Sequence, residues 1–156
     1  MSTYRVHGIP PALASEVRAS LRSPQYGHPA HTEKAAGYGP CRQCLRTFEV
    51  GVDERILFTY QPFTDPAALP APGPVFIHRA RCERYDGHAL PDALRSLPLA
   101  VEGYGDHGAL VVQRRVGALP FEVVLERTFE SSEVRYAHLR NAEAGCFIAR
   151  IDRRPG

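Results

Sequence analysis

A chain of 156 residues with a formal net charge of +2 fits one domain and is too weakly basic to imply a nucleic-acid partner. No stretch approaches the ~20 apolar residues of a membrane span, and the opening MSTYRVHGIP lacks the apolar core of a secretion signal, so a cytoplasmic location is expected. In a reducing compartment its four cysteines serve as thiols or metal ligands rather than as disulfides. Lys34 is the one lysine in an arginine-rich chain. Alanine, glycine and proline are abundant too, as GC-rich coding produces, so dense arginine alone marks no phosphate-binding surface.

In chain order, TYRVHGI (3–9) alternates as a short strand. PPALASEVRASL (10–21) opens on prolines and repeats Leu13, Val17 and Leu21 at helical spacing, ending before Ser23-Pro24. Residues 23–40 form a long polar loop with no periodicity, and loops of that length tend to be functional or mobile. RILFTY (55–60) is a strand with Ile56, Phe58 and Tyr60 on one face. The proline-rich 64–74 stretch connects it to a second buried strand, PVFIH (74–78). PDALRSL (91–97) reads as a short helix, and LAVEGY (99–104) and ALVVQRR (109–115) as strands around a GDHG turn.

In LPFEVVLERTFESS (119–132) the run Val123–Leu125 suits a strand. Glu122, Glu126 and Glu130 form one polar stripe, however, and Leu125 aligns with Phe129, which favours a helix. EVRYAHLRN (133–141) and GCFIARID (145–152) then read as strands joined by the AEAG hairpin, with Val134, Tyr136, His138 and Arg140 on one side. Residues 152–156 read as a basic, solvated tail. The expected class is α+β, a largely antiparallel sheet carrying two or three helices in a single domain.

Three stretches, GPCRQCLRTFEVGVDERILFTYQPF, GPVFIHRARC and HLRNAEAGCFIARIDR, resemble in this order a bacterial domain-of-unknown-function family, number 1203. The resemblance runs from about residue 38 to 154. It implies a small single-domain bacterial protein and no assigned activity or site residue.

The chemistry concentrates in the cysteines. Cys41 and Cys44 form C-x-x-C, whose turn lets two thiolates converge on one ion, and His78 and Cys82 are four residues apart, the separation of one helical turn. Together they make a Cys₃His set suited to zinc, since thiolate and imidazole select it over magnesium or calcium. Such a site would tie the 23–40 loop to the end of strand 74–78 if closed, and would bind water if one position were open. Two alternatives stand beside it. Cys41 and Cys82 could pack as small apolar side chains with His78 capping a strand end. The C-x-x-C could also be a redox pair, with Arg42 lowering a thiol pKa, although the surrounding glycines favour a turn over the helix N-terminus that such a pair prefers. Cys146, in an apolar run, reads as a core residue.

A second constellation is a cleft for a small anion lined by Arg42, His78, Tyr104, His107, His138, Arg140 and Asn141, in which arginine would grip carboxylate or phosphate and histidine would move a proton. A third possibility is a protein-interaction role for the 23–40 loop. No nucleophile elbow, phosphate loop, dinucleotide fingerprint or H-E-x-x-H is present, so no reaction is readable from the chain.

Overall fold

The structure is a computed structural model that describes residues 4–37, 39–63 and 72–153. Its elements are β1 (Tyr4–His7), α1 (Pro11–Ser20), β2 (His31–Lys34), β3 (Glu54–Tyr60), β4 (Gly73–His78), β5 (Asp86–Gly87), β6 (Leu99–Tyr104), β7 (Leu110–Arg115), α2 (Phe121–Thr128), β8 (Tyr136–Asn141) and β9 (Phe147–Arg153). Short 3₁₀ turns occupy 92–94 and 106–108. Two antiparallel sheets result. One has six strands in the order β5-β1-β9-β8-β6-β7, and the other has three in the order β2-β3-β4. The class is α+β, as expected. Among the described residues no helix is long and apolar enough to cross a membrane.

Each sheet has its own core. On the six-stranded sheet, α2 buries Phe121, Val124, Leu125 and Thr128, the i, i+3, i+4, i+7 stripe of an amphipathic helix, against Val101, Leu139, Ile148 and Ile151. On the three-stranded sheet, Ile56 and Phe58 of β3 and Val75 and Ile77 of β4 pack with Ala14 and Val17 of α1 and with Cys41 and Cys44. Phe147 of β9 belongs to that second core, with its ring 5.4 Å from that of Tyr60.

Several expectations need correction. In α1 the buried face is Ala14 and Val17 rather than the Leu13–Leu21 stripe: Leu21 terminates the helix in the left-handed region (φ 52°) and is exposed. The 23–40 segment is not loop throughout, because 31–34 pairs with β3 as strand β2. Cys146 precedes β9 and is partly exposed, outside both cores. The C-terminal segment is structured through Arg153, which closes β9 and donates to the carbonyls of Phe129 (2.7 Å) and Ser131 (2.8 Å). The rest of that tail, 154–156, lies outside the described residues, as does most of the proline-rich connection (64–71).

Candidate metal centre

Residues 41–44 form a tight turn, not a helix. It is closed by Leu45 N–H on the Cys41 carbonyl (2.8 Å), by Cys41 N–H on the Arg46 carbonyl (2.9 Å), and by a Pro40–Thr47 bridge. Leu45 follows at φ 61°. The backbone of the turn is pinned from three directions. Arg42 N–H donates to Phe76 of β4 (2.9 Å), while the Arg42 and Gln43 carbonyls accept from Ile9 (2.8 Å) and Tyr85 (2.9 Å). The chain crosses it at Gly8 so closely that a Cβ there would lie 2.1 Å from the Gln43 carbonyl oxygen, which only glycine permits.

β4 delivers His78 to this turn, and a bend at 79–80 returns Cys82 to it. His78 and Cys82 therefore meet across a bend rather than on a helical turn. The ligand atoms of Cys41, Cys44, His78 and Cys82 all lie within 4.8 Å of one another. Cys41 Sγ is 3.8 Å from Cys82 Sγ, and Cys44 Sγ is 3.5 Å from His78 Nδ1. A tetrahedron with ~2.3 Å metal–sulfur and ~2.0–2.1 Å metal–nitrogen bonds has edges of about 3.8 Å between sulfurs and about 3.5 Å between sulfur and nitrogen. The two separations match the polyhedron that zinc requires.

Outer groups support the donors. The backbone N–H of His78 donates to Cys41 Sγ (3.3 Å), and Arg18 Nη2 of α1 donates to Cys82 Sγ (3.4 Å). Arg46 faces Cys44, which raises the pKa of that guanidinium. The Cys44 thiol is drawn far below the thiol range by hydrogen bonds from Cys41 and then Cys82, and Cys41 is held far above it by the same contacts and by burial. His78 is pushed up to about 9 by hydrogen bonds to Cys44 and Cys82. A metal would displace the protons these contacts share, since it binds thiolates and a neutral imidazole.

The second constellation does not converge. Arg42 is buried on the other side of its turn, where Nε donates to the Phe147 carbonyl (2.7 Å) and Nη1 to the Pro40 carbonyl (2.6 Å); burial pushes its pKa down to about 10. His107 sits at φ 60° in the exposed 106–108 turn. Asn141 is occupied in its hairpin, its Oδ1 accepting from the N–H groups of Glu143 and Ala144 (both 2.9 Å). Only Tyr104, His138 and Arg140 come together, on one face of β6 and β8, and they do so inside the protein.

Glu102, which the sequence reading missed, is the partner there. It pairs with Arg140 Nε and accepts from Tyr104 Oη (2.7 Å) and Gln113 Nε2 (2.7 Å). Its signal was an acid within the apolar run LAVEGY. His138 is fully buried among Phe63, Tyr104, Tyr136 and Phe147, and neither ring nitrogen has a hydrogen-bond partner among the described residues. Desolvation first, then Arg140 and Arg150, holds its pKa well below the usual histidine value.

An α+β protein with a preformed Cys₃His cluster is the class that fold and site define. The family model described as protein of unknown function (DUF1203) matches residues 38–153, and the chain belongs to that family. No curated protein and no solved structure matches the chain.

Proposed function

We propose that this protein binds one zinc ion through Cys41, Cys44, His78 and Cys82. The observation that carries the reading is metric: four donors of the right chemistry lie within 4.8 Å of one another, and the Cys41–Cys82 and Cys44–His78 separations have tetrahedral edge lengths. The redox alternative has less support, because 41–44 is a turn and no helix N-terminus stands there to activate a thiolate.

With four protein ligands the site is closed, so the ion is structural and joins the C-x-x-C turn to the end of β4. Thiolate ligands and four free cysteines suit a reducing compartment, and we infer a cytosolic protein. Elemental analysis of untagged protein tests the reading, with about one zinc per chain expected for four such ligands. Cys82→Ser should lose the metal and Cys146→Ser should keep it. Metal-free protein, or a visible iron–sulfur spectrum, would overturn the assignment.

A further inference from the structure

Beside the cysteine cluster, between α1 and the segment 81–84, lies a cleft of about 490 Å³ whose walls include Ser15, Arg18, Arg81, Cys82, Glu83 and Arg84. We propose that this cleft binds the phosphate group of a small molecule. None of these arginines belongs to the anion cleft expected from sequence. The inference goes beyond the zinc assignment; it shares Cys82 and the contacts of Arg18 with that site, while the guanidinium groups of Arg81 and Arg84 hydrogen-bond to none of its four ligands.

Two of the three guanidinium groups are held in place before any ligand arrives. Arg18 donates through Nε to the His78 carbonyl (3.0 Å) and through Nη2 to Cys82 Sγ (3.4 Å). Arg84 donates through Nε to the Gly8 carbonyl (2.8 Å) and through Nη2 to His7 Nδ1 (2.8 Å). Because a guanidinium can only donate, His7 Nδ1 accepts, and its Nε2–H faces Asp152 Oδ2 at 2.5 Å. A relay running from β9 through β1 thus fixes Arg84. Among the described residues, Nη1 has no partner in either arginine, and the exposed Arg81 guanidinium has none. Ser15 adds a hydroxyl that bonds to no other group there.

Three guanidinium groups line the cleft with one carboxylate, Glu83, which forms no ion pair among the described residues, and with the Cys82 sulfur that Arg18 already contacts. The surplus matches a phosphate dianion better than a single carboxylate. Guanidinium forks suit phosphate oxygens, and arginines already immobilised lose little side-chain entropy on binding. The volume admits a small metabolite rather than a macromolecule.

Calorimetric titration of the full-length, metal-replete protein with inorganic phosphate at low ionic strength tests the proposal. Saturable one-to-one binding is expected, with acetate weaker by about tenfold or more. Arg81→Glu, at an exposed and unpartnered position, should weaken phosphate binding by at least about tenfold while Arg81→Lys costs only a few-fold. No saturable binding, equal affinity for acetate, or binding unchanged by Arg81→Glu would overturn it. Zinc content measured on the same samples separates this outcome from the fate of the metal assignment.

Discussion

Oδ2 of Asp53 lies 3.6 Å from Nε2 of His78, on the far side of the ring from Cys44. The carboxylate is itself held, accepting the Glu49 N–H at 2.7 Å. A carboxylate behind a ligating histidine fixes the tautomer that leaves the other nitrogen free for metal. Asp53→Asn should therefore weaken zinc binding by about tenfold, the lower end of such effects because the contact is long. Chelator competition measures it. Unchanged affinity would remove Asp53 from the site.

Gly8 and Gln43 make a second close relationship. Gly8→Ala would drive a methyl group into the Arg42 and Gln43 carbonyls, at 2.6 and 2.1 Å, and backbone on both sides leaves no flexible side chain to yield. A loss of about 1–3 kcal/mol is expected, toward the upper end, read by urea denaturation. Zinc affinity should fall as well, since the displaced carbonyls belong to the C-x-x-C turn.

Glu102 and Arg140 are buried together, with side chains 8% and 7% exposed. Removing one partner strands the other's charge, so Glu102→Leu should cost about 3–5 kcal/mol, against about 1 kcal/mol for Tyr104→Phe. The double variant Glu102→Leu/Arg140→Leu should recover most of the loss. If each single change costs less than Tyr104→Phe, the pair contributes nothing to stability.

His138 gives the fold a pH dependence of definite sign. Burial keeps it neutral in the folded state, whereas in the unfolded chain it titrates near ~6.5. Below that pH the unfolded state binds one more proton, so stability falls with acidification by up to about 1.4 kcal/mol per pH unit and is flat above. Comparing denaturation of wild type and His138→Phe between pH 5 and pH 8, a range that brackets the ~6.5 value, isolates the effect. The variant should show a shallower acid limb, and parallel curves would mean that His138 takes up its proton in the fold as readily as in the unfolded chain.

The strands that alternate apolar and polar residues were legible because burial on one face writes a period of two into the chain. β3 follows from that logic, with Ile56, Phe58 and Tyr60 buried. α2 follows from the helical period instead, with Phe121, Val124, Leu125 and Thr128 buried. β6 is buried at every position and was legible as an apolar run between turns. β2 was not legible: His31, Thr32, Glu33 and Lys34 have no buried face, and only backbone pairing with β3 makes them a strand. β5, with two residues, is too short to carry a pattern.

At the site, residue type and order pointed to the four side chains that the fold clusters, although His78 and Cys82 meet through a bend rather than on a helix. The anion cleft failed because sequence carries no information on which arginine faces which carboxylate. Arg140 found Glu102 inside the sheet, and the guanidinium groups with free donors come from α1 and from the chain after β4. Arg18 could not be tied to Cys82 by any spacing, since α1 meets that cysteine only in three dimensions.

The turn 41–44 bonds to β4 through Arg42 N–H, to β9 through the Arg42 side chain, and to the chain leaving β1 through Ile9. It is a shared vertex of the two sheets, not an appendage of one. Stripping an ion from it would loosen the smaller sheet selectively: amide protons of β3 and β4 should exchange faster, while those at the centre of β6, β8 and β9 keep their protection. A joint of this kind lets occupancy of a few sulfurs decide whether two layers melt together or one after the other.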